Sequence, residues 1–279
     1  MRLGVSSRSM TKQCEDIDLD LKIDEFRING YAVLEDVLSV ETVDRIYEAF
    51  LPLLEHVKSR ESKIAPKEWG ELRTGFGRQQ NANRYTLTIP WVPPFADPEV
   101  YENPVILEFL KRYWKREEFY IRCFHSNNPY PGSEYQHWHR DTLIAREIPH
   151  VGLDTCPILG VKFPLVDTSE ENGSIEVLPS TQYVANTSLE TRYDEILNRG
   201  HFPSTHRLNM KKGTMWIQDV RTLHRGTPNT SVGPRPEIVV CYGLEWMSIR
   251  QKVKVPPEVY VGFSERAKKL FEFCEIVEY

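Results

Sequence analysis

The densest group of chemically useful side chains lies between Gln136 and Asp141, where His137, His139 and Asp141 stand two residues apart. If this segment is a β-strand, residues two apart share one face of the sheet, and all three side chains point the same way. Two imidazoles and a carboxylate brought together on one face are ligands for a transition metal. The segment therefore predicts a metal site.

Two kinds of metal site fit these residues. The pattern of His137, His139 and Asp141 opens the zinc site of metallo-β-lactamase-like hydrolases, but there a further histidine normally follows the aspartate at once, and here Thr142 follows. The other kind uses only His139 and Asp141 and takes a second histidine from a later strand. Two histidines and one carboxylate leave three adjacent metal positions open, as in non-haem iron(II) oxygenases. This second interpretation is favoured.

The missing histidine is found in the second half of the chain. A β-type run over 214–218 leads into a turn and then His224, 83 residues beyond Asp141, and Arg235 follows eleven residues later. A guanidinium binds a carboxylate through two parallel hydrogen bonds, so a buried arginine near the metal would suit a dicarboxylate co-substrate. The spacing predicts His139, Asp141 and His224 as the metal ligands, with Arg235 beside them.

These motifs resemble those of the phytanoyl-CoA dioxygenase family of iron(II)- and 2-oxoglutarate-dependent oxygenases, from about Asp24 to Trp246. The residues that carry the resemblance are the entry motif 26–34, His139 to Asp141, the segment 171–180, and His224 through Arg235 and Pro236. The sequence around His224 is most similar to that of the bacterial antibiotic-pathway branch of the family, which includes kanamycin B dioxygenase.

The resemblance implies a mostly β fold, with a double-stranded β-helix (jelly-roll) core and supporting α-helices. It also implies Fe(II) on His139, Asp141 and His224, the distal carboxylate of 2-oxoglutarate on Arg235, and O2 as oxidant. Where family members often read Pro-Gly-Ser-His, residues 179–182 read Pro-Ser-Thr-Gln, so no histidine acts there. Halogenating relatives replace the carboxylate ligand with a small residue, and the presence of Asp141 therefore favours oxygenation.

Three further residues are candidates for binding the co-substrate. Gln136 lies three residues before His139 and could reach the 1-carboxylate of 2-oxoglutarate. Gln80 lies in a polar segment where relatives place an amide donor. Lys162 stands in an apolar run between Val161 and Phe163, and either contacts an anion in the pocket or extends its ammonium to solvent.

Composition excludes several classes of protein. The chain has 279 residues and a formal net charge of −5, which argues against a general nucleic-acid or anionic-membrane binder. No run approaches the roughly 20 apolar residues that cross a bilayer. The five scattered cysteines contain no C-x-x-C pair, which indicates a reducing, cytoplasmic setting rather than a disulfide framework.

The pattern along the chain predicts one domain that follows a disordered lead over residues 1–18. Within 19–279 we expect a helical support over about 19–117, a catalytic β core over about 118–250 and a C-terminal helix over about 263–274. A polar, helix-containing insertion is expected from about residue 189 to 206. Predicted helices begin near Ser39 and Pro104, and one ends at Asn29-Gly30.

The function expected from these features is oxidation of a C–H bond in a small molecule, such as a secondary metabolite. An acyl chain or acyl-CoA substrate, a non-catalytic jelly-roll binding protein and a cupin-like metalloenzyme independent of 2-oxoglutarate are the alternatives. Arg235 argues against the cupin-like enzyme, and the intact ligand set argues against the binding protein. Neither a nucleic acid nor a membrane is an expected partner.

Overall fold

The computed structural model describes residues 11–60, 76–81, 83–141, 155–183, 204–247 and 252–278. Most of the insertion predicted from about residue 189 to 206, and most of the predicted N-terminal lead, lie outside the described residues. The proposed domain bounds stay a prediction. No helix among the described residues is long and apolar enough to cross a membrane.

The helices of the first part of the chain begin and end where local sequence signals predict. Helix α1 ends at Gly30, whose φ of +78° is the left-handed conformation that glycine adopts without strain. The hydroxyl of Ser39 accepts a hydrogen bond from the backbone of Thr42 and caps α2. The bounds are α1 Leu19–Asn29, α2 Val40–Arg60, α3 Pro98–Tyr101 and α4 Pro104–Trp114.

A seven-stranded antiparallel sheet, here called the major sheet, forms the centre of the molecule. Its order is β1-β8-β5-β10-β4-β3-β2. Its strands are β1 Tyr31–Leu34, β2 Phe76–Asn81, β3 Arg84–Thr88, β4 Tyr120–Pro129, β5 Ile158–Pro164, β8 Met215–Asp219 and β10 Glu237–Gly243.

Alternation along these strands separates the two faces of the major sheet. One face packs on the helices, and its side chains join one large apolar core that includes Phe26, Phe109, Val161, Ile217 and Val240. The opposite face carries the polar side chains. Because successive side chains of a strand point to opposite faces, the same strands build the core and line a site.

A smaller sheet of order β7-β6-β9 faces that polar side and closes the second layer. Its strands are β6 Glu176–Val177, β7 His206–Arg207 and β9 His224–Arg225. The segment 131–139 extends it through isolated bridges to Asn229 and His224. The two layers form the jelly roll that the resemblance implies. The chain ends in β11 Lys254–Val255, α5 Pro257–Val261, α6 Glu265–Leu270 and β12 Glu275–Ile276.

Two expectations from the sequence differ from this architecture. Strands β2 and β3 lie within the region predicted to be helical support; β2 is polar and shows no apolar alternation that would mark it as a strand. The segment from Gln136 to Asp141 is not a continuous strand. The side-chain oxygen of Gln136 accepts a hydrogen bond from the backbone N–H of Gly226. This bond takes the place of a backbone–backbone hydrogen bond between the two segments.

Candidate functional site

Two histidines from distant parts of the chain are held side by side by a single β-bridge. The backbone N–H of each donates to the carbonyl of the other, and both N···O distances between His139 and His224 are 3.0 Å. Their ring centroids are 4.4 Å apart. The backbone therefore fixes both imidazoles before any ligand binds.

Asp141 completes the group. Its backbone N–H donates to the carbonyl of Val220, so the chain turns and brings the carboxylate under both rings. Oδ1 of Asp141 lies 3.3 Å from Nε2 of His224 and 3.8 Å from Nε2 of His139. One ligand atom from each of the three residues lies within 4.8 Å of the others. The predicted trio comes together across 83 residues of sequence.

The outer nitrogens of both rings are held by backbone carbonyls. Nδ1 of His139 lies 2.8 Å from the carbonyl of His137, and Nδ1 of His224 lies 3.0 Å from the carbonyl of Thr222. The side-chain amide of Gln218 packs 2.8 Å from the same nitrogen of His224. A carbonyl can only accept, so the contact with His137 favours the proton on Nδ1 of His139 and leaves its Nε2 lone pair free for a metal. At His224 a carbonyl acceptor and an amide donor both meet Nδ1, so these two contacts do not select one tautomer.

Electrostatics keep His139 and Asp141 in the protonation states that bind a cation. Burial, together with the neighbouring His224, lowers the pKa of His139 to about 4. Burial alone would raise the pKa of Asp141, but Lys162 and the two histidines hold it well below its ordinary value. At neutral pH, His139 is therefore neutral and Asp141 anionic, as metal ligands must be.

This donor set fits iron(II). Two imidazoles and one carboxylate are the ligands of non-haem iron(II) oxygenases and leave adjacent positions for a co-substrate. His137 is exposed and lies outside the group; its carbonyl orients the His139 ring. The dizinc alternative therefore lacks its first ligand.

Lys162 is buried against the metal group rather than extended to solvent. Its ammonium lies 3.3 Å from Oδ2 of Asp141, and its side chain is 3% exposed. It also donates to the side-chain oxygen of Gln218 and lies 4.8 Å from the centroid of the Trp216 ring. The ammonium therefore does not extend to solvent, and its partner is a protein carboxylate; a role of Lys162 toward the co-substrate stays a prediction.

Arg235 lies two residues before β10 and is 2% exposed. Nη1 lies 3.8 Å from Oε1 of Glu237, which also accepts the indole N–H of Trp216 at 3.0 Å. Nε has no hydrogen-bond partner among the described residues. Burial lowers the pKa of Arg235, yet a guanidinium stays charged at neutral pH. A buried cation with spare donors suits an anionic ligand.

The two glutamines that sequence analysis singled out are less directly placed. The oxygen of Gln136 accepts the backbone N–H of Gly226 at 2.8 Å, close to the bridge that holds the histidines. Gln80 lies on β2, the outermost strand of the major sheet, and its side chain lies outside the described part. Their roles toward a co-substrate stay predictions.

Three side chains of β4 on the polar face of the major sheet are partly open to solvent. Cys123, His125 and Asn127 are half-buried, whereas Phe124 and Ser126 between them are buried. β4 lies between β3 and β10, so this exposure comes from space above the polar face and not from a sheet edge. Solvent therefore reaches the face on which Lys162 lies.

Sequence reasoning missed Arg84, Gln218 and Glu237, three buried polar residues of the polar face. Each stands in a run that reads as an ordinary strand. Gly226, directly after His224 and Arg225, was the available signal. An ideal Cβ there would lie 2.4 Å from Nη1 of Arg84, so a larger residue would displace that guanidinium from its present position.

Solved structures share this architecture at low identity. AviO1 from Streptomyces viridochromogenes superposes with a TM-score of 0.58 at 18% identity, over 83% of this chain and 97% of that one. The non-haem alpha-ketoglutarate-dependent epimerase SnoN from nogalamycin biosynthesis gives 0.55 at 15%, over 81% and 80%. SnoN is also known in complex with Fe3+, alpha-ketoglutarate and nogalamycin RO, with 0.54 at 14%, over 81% and 83%.

The sequence profile of the phytanoyl-CoA dioxygenase (PhyH) family matches residues 26–236, and this range includes all three candidate metal ligands and Arg235. The jelly roll, the convergent histidines and aspartate, and the matched range agree with one another. The chain therefore belongs to the phytanoyl-CoA dioxygenase family of iron(II)- and 2-oxoglutarate-dependent oxygenases.

Proposed function

We propose that this protein is an iron(II)- and 2-oxoglutarate-dependent dioxygenase that hydroxylates or otherwise oxidises a C–H bond of a small molecule, in secondary metabolism. The observation that carries the proposal is the convergence of His139, Asp141 and His224, whose ligand atoms all lie within 4.8 Å of one another. Family membership supports the same chemistry.

His139, Asp141 and His224 would hold the metal. When bound, iron(II) would supply the activation of O2, coupled to decarboxylation of 2-oxoglutarate. Arg235 would bind the distal carboxylate of 2-oxoglutarate, because its buried guanidinium has donors to spare. Lys162 would hold the outer oxygen of Asp141 and, with Gln136 and Gln80, contribute to the co-substrate site.

The presence of a carboxylate ligand bears on the type of reaction. A halogenating relative would have a small residue at the position of Asp141, which would leave room for chloride. Because Oδ2 of Asp141 is held by Lys162 at 3.3 Å, the carboxylate is fixed and that position stays filled. We therefore propose oxygenation or another oxidation rather than halogenation.

The proposed substrate is a small molecule bound over β4. The half-buried Cys123, His125 and Asn127 would offer this molecule a thiol, an imidazole and an amide. The complex of SnoN with nogalamycin RO supports a secondary metabolite as the class of substrate. The five cysteines are free thiols, which supports a cytoplasmic location.

The test is an anaerobic titration of the protein with Fe(II) and 2-oxoglutarate, followed by the visible charge-transfer band of the chelate. We expect the band in the wild type and its loss in Asp141→Ala. The matched control is Asp167→Ala, because Asp167 is exposed, pairs with the exposed Lys211 and does not belong to the ligand group. A wild type without the band, or an unchanged band in Asp141→Ala, would overturn the proposal. Succinate release across a panel of small molecules then identifies the substrate.

A further inference from the structure

Two cysteines stand directly opposite each other on neighbouring strands of the major sheet. Cys123 of β4 pairs with Cys241 of β10 in the antiparallel register, and both thiols are free. The Cα atoms of residues that face each other in an antiparallel ladder lie about 4.5–5.5 Å apart, and a disulfide spans about 4.4–6.8 Å between Cα atoms. The register therefore places the two cysteines within disulfide range without any change of strand pairing.

Both side chains point to the polar face of the major sheet. Val240 and Tyr242, the neighbours of Cys241 on β10, belong to the apolar core on the other face, as does Phe124 next to Cys123. Cys123 is half-buried, whereas Cys241 is 8% exposed. Solvent and small oxidants therefore reach the sulfur of Cys123 first, and Cys241 is its more buried partner.

The pair differs from the other cysteines in its thiol chemistry. Hydrogen bonds with the thiol of Cys241 and with His125 lower the pKa of Cys123, and the contact between the two sulfurs raises the pKa of Cys241. A thiolate on Cys123 is thus held beside a protonated thiol. Burial instead raises the pKa of the three remaining cysteines, Cys14, Cys156 and Cys274. Because the thiolate is the nucleophilic form of cysteine, Cys123 is the reactive member of the pair.

The pair lies in the same row of the major sheet as a residue that contacts a candidate metal ligand. Cys241 pairs with Gly160 of β5, Gly160 pairs with Gln218 of β8, and the amide of Gln218 lies 2.8 Å from Nδ1 of His224. Two strand spacings, about 10 Å, therefore separate the backbones of Cys241 and Gln218. The two thiols belong to the same face of the sheet as the surroundings of the metal group.

We propose that Cys123 and Cys241 are a peroxide-reactive pair that closes reversibly into a disulfide between β4 and β10. The thiolate of Cys123 attacks one oxygen of hydrogen peroxide; an S–O bond forms, the O–O bond breaks, and the leaving hydroxide takes up a proton to become water. Cys241 then loses its proton, and its sulfur attacks the sulfur of the sulfenic acid. The S–S bond forms, and the S–O bond breaks with release of a second water.

The reaction is balanced and needs no partner besides the peroxide. The two thiols together give up two electrons, and one hydrogen peroxide is reduced to two waters. The inference is independent of the proposed function, because it requires neither a metal nor 2-oxoglutarate.

Peptide mass mapping of the full-length chain tests the pairing. Trypsin cuts after lysine and arginine, and the five cysteines fall on five separate tryptic peptides. The protein is treated with hydrogen peroxide in the presence of a chelator, the remaining thiols are alkylated, and the digest is compared with and without dithiothreitol. We expect the peptides of Cys123 and Cys241 to be linked, and the link to disappear with dithiothreitol. Free Cys123 should be lost roughly tenfold faster than free Cys274. Absence of this link, or equal rates of loss, overturns the inference.

Two controls separate this pair from general oxidation of thiols. In guanidinium chloride, which unfolds the chain, we expect the faster loss of Cys123 to disappear, because it depends on contacts made in the fold. Cys241→Ser removes the second thiol, so dimedone should trap a sulfenic acid on Cys123 and no link should form. Cys274→Ser is the matched control and should keep the link, since Cys274 is half-buried like Cys123 but does not belong to the pair.

The same experiments also show how the inference fails. A link that forms equally well in the unfolded chain, or a Cys241→Ser protein without sulfenic acid on Cys123, overturns it. The mapping of the wild type decides the question even if a variant does not fold.

Discussion

Lys162→Met removes the ammonium that neutralises Asp141 when no metal is bound. The two groups lie 3.3 Å apart, and the lysine side chain is buried while that of Asp141 is 36% exposed. Methionine keeps most of the length of lysine, so it preserves packing against Trp216. The charge is the main property that changes.

The expected magnitude follows from this distance. At an effective dielectric constant of about 20, two unit charges 3.3 Å apart attract by about 5 kcal/mol. Because Asp141 is partly exposed, solvent screens the pair, and we take about 2 kcal/mol as the effective value. In the wild type, a divalent cation must compete with the ammonium of Lys162 for the Asp141 carboxylate, and the ammonium also repels the cation. Lys162→Met should therefore bind the metal more tightly by roughly 30-fold.

The assay is a competition titration of the apoprotein with Co(II) or Zn(II), with the metal-induced rise in melting temperature as a second readout. Lys211→Met is the control, since Lys211 pairs with Asp167 at 2.7 Å but its side chain is 82% exposed. We expect tighter metal binding and a larger thermal shift in Lys162→Met alone. If Lys162 also contacts the co-substrate, 2-oxoglutarate affinity falls in the same variant. Unchanged or weaker metal binding would refute the electrostatic reasoning.

Three further predictions concern stability and metal linkage. Arg221→Met leaves the buried carboxylate of Asp219 without its bidentate partner, and we expect a loss of about 3–5 kcal/mol in denaturant unfolding; a loss below about 1 kcal/mol would contradict this. Phe109→Ala, fully buried in the core, should cost about 3–5 kcal/mol, while Val232→Ala at the exposed surface should leave the unfolding midpoint unchanged. A divalent metal at about 1,000 times its Kd should stabilise the wild type by about 4 kcal/mol, and Asp141→Ala should lose most of this stabilisation in a thermal melt.

Local signals in the sequence determine much of the helical part of the fold. Gly30 ends α1 because a residue without Cβ adopts a φ of +78° at no steric cost, and Ser39 begins α2 because its hydroxyl accepts a free N–H. These effects act within one turn of helix and can be read from neighbouring residues. Strand β2 carries no comparable signal, because it is polar and is a strand only through its pairing with β3.

The ligand set His139, Asp141, His224 was predictable because chemistry restricts which residue types hold iron and because the motifs around them resemble a known family. The same resemblance singled out Arg235, which the structure buries, and its role toward 2-oxoglutarate stays a prediction. The sequence could not show that the segment before Asp141 is held by isolated bridges and not by a continuous ladder, since this depends on Gln136 taking the N–H of Gly226.

Only the tertiary structure decided what surrounds these ligands. The sequence alone is compatible with either a surface or a pocket position for Lys162. The strand register places it between Trp216 and Val239, with its ammonium beside Asp141. Arg84 reads as an ordinary strand residue until β3 and β10 are placed on either side of β4. The burial of a side chain and the net charge around it both depend on residues that are far apart in the chain. The sequence by itself therefore determined the metal chemistry, and the packing of distant strands decided which cations and which open space surround it.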